Sequence, residues 1–334
     1  MSTSTIDPLV RAATAPIAPW LADRAVLEIA CNEPGAVWIE RAGHDAMERI
    51  EVPDLDADAV RFMAERIAAA SNQAVSEQNP ILSAALPTGE RFQCVMPPAS
   101  KAGAFSIRKQ VTQHLTLDDY EQMGAFEGVS VYRPGALSDT DRELIRLLDA
   151  GEIGAFIRLA VRSRISMVIA GGTSTGKTTF FNALFGAMAP DERLVTLEDT
   201  RELTPPNANF LPLLASKGDQ GSAKVSIQDL LEATLRMRPD RLFLGELRGA
   251  EAFTFLRAIN TGHPGSMTTI HADTPAGAYE QIALMVQQAK VNWEKEELMR
   301  YIQTVIPIVV QLRRDGGRRG VSEIFFARRE GLRG

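Results

Sequence analysis

GGTSTGKT, Gly171–Thr178, is the stretch that decides the fold. It satisfies G-x-x-x-x-G-K-[ST], and its surroundings are those the pattern requires. Before it, RISMVIA (Arg164–Ala170) is a short apolar run suited to a buried parallel strand. After it, Phe180, Phe181, Leu184, Phe185 and Met188 recur on one helical face. A strand, a glycine-rich turn and a helix in that order place successive backbone N–H groups and the helix N-terminus around an anion. Lys177 then reaches the β- and γ-phosphates of a nucleotide, and the Thr178 hydroxyl binds Mg2+. The expected ATP-binding residues are therefore Gly171, Gly172, Thr173, Ser174, Thr175, Gly176, Lys177, Thr178 and Thr179. A plain glycine-rich turn is the bland reading, and it does not explain the strand and helix on either side.

Outward from this loop, apolar strands alternate with amphipathic helices from about residue 138, the pattern of an α/β sheet covered on both faces. RLVTLED, RLFLGEL and SMTTIHA read as further strands of that sheet. Ser226 and Asp229 form a capping pair for the helix SIQDLLEATLRMR, which stops before Pro239. IPIVVQLRRDGGRRGVSEIFFARR reads as a hairpin with a Gly-Gly turn, and PPNANFLPLLASKGDQGSAK as a loop. The N-terminal part is α+β: two strands around Asn-Glu-Pro-Gly in LEIACNEPGAVWIE, a helix over Ala57–Ala70, a hairpin turning at Pro87-Thr88-Gly89, the strand AFSIRK, and a helix from near Thr116. The expected division is an N-terminal domain over 1–130, a linker over 131–140 (VYRPGALSDT) and an α/β domain over 141–334.

Two strand ends carry acids. Glu246 closes RLFLGE and Glu198-Asp199 closes VTLED. A carboxylate leaving a buried strand at the sheet's C-terminal edge lies where Mg2+ and its waters gather. One glutamate is expected to hold the metal's water shell and the other to orient or deprotonate the attacking water; the residues alone leave the assignment open. His263 and His271, two of only four histidines, fall in TGHPGSMTTIHA. Their spacing does not suit a shared metal on one helix face, and no third ligand lies close by. Taken alone they read equally well as hydrogen-bonded loop residues.

The totals bound the partners. The chain has 334 residues, 45% hydrophobic and 23% charged, which suits two well-packed domains without long disorder. A net charge of -6 gives no general reason to expect nucleic acid. Cys31 and Cys94 sit among apolar residues, as reduced core thiols do. No segment approaches a membrane span and the N-terminus lacks a secretory pattern, so a soluble protein is expected, with any membrane association peripheral.

GGTSTGKT, VTLEDTREL, LFLGELRG and TGHPGSMTTIHA follow one another as the Walker A, Asp box, Walker B and His box motifs do in the secretion ATPase superfamily. Within it, the chain most resembles the type IV secretion traffic ATPases of the VirB-eleven group. The resemblance implies a RecA-like P-loop NTPase domain preceded by a smaller α+β domain, a homohexameric ring, and ATP held between the two domains and capped by a neighbouring subunit. By motif, Glu198 would activate water and Glu246 would serve the magnesium shell. His271 would approach the γ-phosphate, and His263 would support it or the subunit contact. Arg91 and Arg108 match N-terminal arginines near the phosphates, where a guanidinium stabilises transition-state charge. Arg201 and Arg248 would be ion-pair partners or nucleotide sensors. One departure is Ser174-Thr175, where Gly-Ser is frequent.

The implied activity is ATP hydrolysis with Mg2+, powering assembly of, or transport through, a type IV secretion or conjugation system. The partners would be inner-membrane and cytoplasmic channel components, with the protein peripheral on the cytoplasmic face of the bacterial inner membrane. The alternatives are a ring scaffold with little turnover and a kinase, and a kinase gives the histidine segment no purpose.

Overall fold

Period-two apolar patterning folds the N-terminal stretch into an antiparallel sheet. The computed structural model describes residues 7–110, 115–131, 133, 135–216 and 223–330. Helices α1 (Pro8–Ala13) and α2 (Ala18–Ala22) precede β1 (Val26–Cys31), β2 (Ala36–Arg41) and β3 (Glu48–Glu51). Helix α3 (Ala57–Ala70) leads to β4 (Ile81–Ala85), β5 (Arg91–Val95) and β6 (Ala104–Arg108). The strand order is β3-β2-β1-β6-β5-β4. Helix α3 buries Val60, Met63, Ala64, Ile67 and Ala68 at helical spacing, and Asp56 caps it by accepting the Ala59 N–H. Strand β3 was not foreseen, because Glu-Arg-Ile-Glu on a mostly exposed edge shows no apolar alternation. Helix α4 (Leu117–Gln122) opens with a capping box of Thr116 and Asp119.

The second unit begins with α5 (Asp139–Asp149) and α6 (Ile153–Arg162), then β7 (Met167–Ala170), α7 (Lys177–Phe185), β8 (Leu194–Glu198) and β9 (Phe210–Leu214). It continues through α8 (Ile227–Thr234), β10 (Arg241–Leu244), α9 (Glu251–Asn260), β11 (Met267–Ile270), α10 (Pro275–Gln288) and α11 (Lys295–Val305), and ends with β12 (Ile308–Asp315), β13 (Arg318–Phe326) and α12 (Ala327–Glu330). The sheet order is β13-β12-β7-β11-β10-β8-β9, parallel except for the edge strand β13. Alternate residues serve opposite faces: Val168, Val195, Leu242 and Ile270 pack towards α8, α9 and α10, while Met167, Ile169, Phe243 and Met267 pack towards α6 and α7. Both faces are buried, which is why these strands read as continuous apolar runs.

One expectation is corrected. The 205–224 insert is not simply a loop, since Phe210–Leu214 is a strand parallel to β8 with Leu211 and Leu213 inward. Pro212 is tolerated because the strand is an edge, and Pro and Asn around it masked the short alternation. The insert's residues 217–222 lie outside the described residues, as do 132 and 134 of the expected linker. That linker's last two residues, Asp139 and Thr140, already belong to α5, whose N-terminus carries a Ser138–Asp141 capping box. Among the described residues, no helix is long and apolar enough to cross a membrane.

The two units meet at a buried polar contact. Arg193, fully buried, donates from Nη1 to Asn32 Oδ1 at 2.5 Å and to Asn209 Oδ1 at 2.7 Å, and from Nε to the Met237 carbonyl at 3.0 Å. Glu28 lies nearby, 3% exposed, accepting from the Ser106 hydroxyl. Burial pushes its carboxyl from 4.5 up to about 7, against the opposing pull of Ser106 and Arg193. Below about 4.5 the folded and unfolded chains both hold this proton. As pH rises from there to about 7 the unfolded chain releases it first, so stability falls. Glu28→Gln should therefore match the parent near pH 4 and be more stable above pH 7, by about 1–3 kcal/mol. Thermal melts across that range check this, and a pH-independent difference contradicts it.

Candidate nucleotide site

Close packing dictates the shape of the loop after β7. A Cβ on Gly171 would lie 2.6 Å from Thr175 Oγ1 and 2.9 Å from the Leu312 carbonyl oxygen, so no side chain fits there. Gly176 and Ser174 adopt φ of 92° and 61°. Glycine takes the left-handed region freely, whereas Ser174 pays about 1 kcal/mol for it. This is the position where the sequence departs from the frequent glycine. Helix α7 starts at Lys177 with no side chain capping its N-terminus, which leaves its first N–H groups open to an anion.

The Lys177 ammonium is folded back into the loop, donating to the Gly171 and Gly172 carbonyls at 2.8 and 3.0 Å. Burial lowers its pKa, and the nearby Glu246 charge opposes that shift. Thr175 Oγ1 donates to the Gly172 carbonyl at 2.9 Å. Gly171 and Gly172 thus serve through their backbones, while Thr173 to Thr179 line a cavity of about 420 Å3.

Strand ends β8, β10 and β11 supply the opposite wall, where Glu198, Glu202, Glu246 and His271 line the same cavity. His271 Nε2 lies 2.8 Å from Glu246 Oε1. The other Glu246 oxygen accepts from Arg248 Nε and Nη2 at 2.9 and 2.6 Å. Arg248 Nη1 also donates to Asp199 at 2.6 Å, so one guanidinium ties together the two acidic strand ends. These hydrogen bonds hold its pKa above the usual value.

The two glutamates of the β8 turn differ sharply. Glu198 is 3% exposed, and its Oε1 accepts the backbone N–H groups of Glu202 and Leu203 at 2.8 and 3.0 Å. Its Oε2 has no partner among the described residues, and burial raises its pKa. Glu198 therefore braces the turn. Glu202, absent from the sequence-derived candidates, has its carboxyl at the loop: its Oε2 accepts the Thr178 hydroxyl at 2.8 Å. Asn182 of α7 pins the same turn, donating to the Glu202 carbonyl at 2.9 Å and accepting from the Thr204 N–H at 2.8 Å. The available signal was a second glutamate four residues after Glu198.

Other expected residues lie elsewhere. His263 precedes β11, at the opposite end of that strand from His271, with Nδ1 2.9 Å from the Pro239 carbonyl. It is not in the cavity, and burial keeps its pKa below the usual 6.5. Arg201 is exposed and outside the lining. Arg91 and Arg108 stand opposite one another on β5 and β6. Arg91 lines a separate cavity of about 390 Å3 with Arg236, and neither arginine reaches the loop of its own chain. Arg319 of β13, which sequence reasoning missed, does line the nucleotide cavity.

Known proteins share this arrangement of chain. Residues 148–319 match the family described as Type II/IV secretion system protein. Type IV secretion system protein VirB11 of Bartonella henselae is 38% identical over 326 residues, covering 93% of this chain and 91% of that one. The chain belongs to the VirB11 family of type IV secretion ATPases. Protein VirB11 of Agrobacterium fabrum is 33% identical, covering 96% of this chain and 94% of its own. The crystal structure of the VirB11 ATPase from the Brucella suis type IV secretion system in complex with sulphate has a TM-score of 0.89 and 36% identity, covering 97% of this chain and 99% of that chain. The RecA-like P-loop fold with a smaller α+β unit before it, expected from four motifs, is thus the family's fold. The family is one of secretion ATPases, and membership in it implies nucleotide binding.

The collisions at Gly171 make a direct test of the loop. Gly171→Ala should destabilise the protein by about 1–3 kcal/mol, seen as a lowered melting temperature, because neither the Leu312 carbonyl nor Thr175 can retreat cheaply. Unchanged melting would mean that the loop is looser than described.

Proposed function

We propose that this chain hydrolyses ATP with Mg2+ in the cavity after β7, as one subunit of a homohexameric ring that powers assembly of, or substrate transport through, a type IV secretion or conjugation system. The observation that carries the reading is the convergence of Lys177 and Thr178 with Glu202, Glu246 and His271 around one cavity. The N-terminal domain (1–130), the linker (131–140) and the ATPase domain (141–334) are taken as the moving parts, and nucleotide-dependent closure between them as the work stroke. The position proposed for the chain is peripheral, on the cytoplasmic face of the bacterial inner membrane, beside channel components.

The donor set suits magnesium. The Thr178 hydroxyl with the Glu246 and Glu202 carboxylates are hard oxygens, and this ion typically takes few protein ligands while keeping water and phosphate oxygens. Thr178 would hold it, with Glu246 beside its water shell, and when bound it neutralises charge on the phosphates. Lys177 exchanges its carbonyl partners for β- and γ-phosphate oxygens. Oε1 of Glu198 is committed to two backbone amides and its unpartnered Oε2 is buried, so the water-activating role is assigned to Glu202, whose carboxyl meets Thr178. His271, held by Glu246, orients towards the γ-phosphate. Arg91 and Arg108, absent from the lining of their own chain's cavity, act in the ring on the nucleotide of the next copy.

Purified protein should release phosphate from Mg-ATP. Lys177→Ala should lose nucleotide binding. Glu202→Gln should lower turnover by about a hundredfold or more while still binding ATP. His271→Ala should depress turnover more than binding. Tight ATP binding with no turnover in the parent would instead favour a ring scaffold, and unchanged turnover in Glu202→Gln would return the water to Glu198.

A further inference from the structure

The hairpin β12–β13 leans over the phosphate loop and brings a cation that no carboxylate among the described residues neutralises. Arg319 lines the nucleotide cavity, and its Cδ lies 3.4 Å from where a Cβ on Gly176 would sit. Every other cation in the lining is already engaged. Lys177 donates to two carbonyls, and Arg248 is paired with Glu246 and Asp199. The Arg319 side chain has no carboxylate or hydrogen-bond partner among the described residues.

The hairpin register makes this costlier. Arg314 stands directly opposite Arg319, so two guanidiniums project from the same face of the ladder, a like-charge pair that destabilises an antiparallel sheet. Asp315, the acid at the turn, contacts Arg313 at 3.8 Å and is opposite Arg318. Gly316 and Gly317, at φ of 53° and 85°, make the tight turn that brings the two arginines face to face. Arg319 beside a glycine-rich loop and an uncapped helix N-terminus, with Arg314 across the ladder from it, forms an anion clamp.

We propose that Arg319, with Arg314 behind it, grips the pyrophosphate portion common to ATP and ADP. The inference rests on the reading of the cavity as a nucleotide site and assigns a part of the ligand to a residue. Its basis is position. Backbone N–H groups of such loops cradle the α- and β-phosphates, and Arg319 stands over Gly176 of that loop. Glu202, Glu246 and His271 line the same cavity from beyond the ends of β8, β10 and β11, and the γ-phosphate is assigned to that wall. The clamp makes the hairpin a sensor of nucleotide occupancy, independent of whether the γ-phosphate is present.

Calorimetric titration of the full chain with ADP and with ATPγS, each with Mg2+, tests this. Arg319→Ala should raise Kd for both by a similar factor, about tenfold. Arg319→Lys should recover part of the loss, because it restores charge without the guanidinium fork. Arg318→Ala, on the opposite face of the strand, should stay within about twofold of the parent. Equal affinities in Arg319→Ala and the parent for both ligands would overturn the proposal. Weakening for ATPγS alone would overturn the pyrophosphate assignment in favour of a γ-phosphate contact. Normal binding by Lys177→Ala would instead break the reading of the cavity itself. Arg319 is exposed, so melting of Arg319→Ala should match the parent; if it does not, Arg319→Gln carries the same comparison.

Discussion

The site depends on parallel pairing that ends four strands along one edge. Ala170 lies beside Ile270, and Leu244 lies beside Leu197 and Thr268. The residues just beyond those ends are Gly171, His271, Gly245-Glu246 and Asp199, so the chemistry begins where the hydrogen-bonded ladder stops. The register is enforced by burial on both faces. A slip of one residue would send Met167 and Ile169 to the side now occupied by Val168 and Ala170, and would unpack both cores at once. Gly245 keeps the join tight, since a Cβ there would lie 3.3 Å from Glu198 Cγ.

On this frame most charged groups of the cavity already have a partner. Lys177 rests on carbonyls, Thr178 on Glu202, and Arg248 and His271 on Glu246. Such pairing is what a half-buried cluster requires, because an unpaired charge there would cost several kcal/mol. A polyphosphate enters by exchange: carbonyl contacts of Lys177 for phosphate oxygens, and the Thr178 hydroxyl for a cation. Affinity is thus a difference between two sets of contacts, and the uncommitted arginines of the β12–β13 hairpin matter because they have nothing to give up.

Much of this was legible in the sequence where a residue's role follows from local geometry. The glycine-rich loop, the apolar strand before it and the helix after it are all local, and the same holds for the capping pair Ser226–Asp229. Roles set by tertiary contact were not legible. Glu198 and Glu202 are both acids after a buried strand, and only the turn's backbone amides distinguish the brace from the carboxylate that meets Thr178. His263 and His271 share a motif, yet the intervening strand carries them to opposite ends of the sheet. Arg319 sits in a hairpin some 140 residues after the loop it overhangs, and no spacing rule joins them. Strand β9 was hidden by its own proline.

Hydrogen–deuterium exchange of the full chain with and without Mg-ADP tests the central claim most directly, because it reports every strand end at once. Protection is expected together in 171–179, 198–204, 245–248 and the hairpin turn 314–319, with β1 and β2 unchanged. Binding that leaves the 171–179 amides unprotected, or protection confined to the N-terminal sheet, would contradict it.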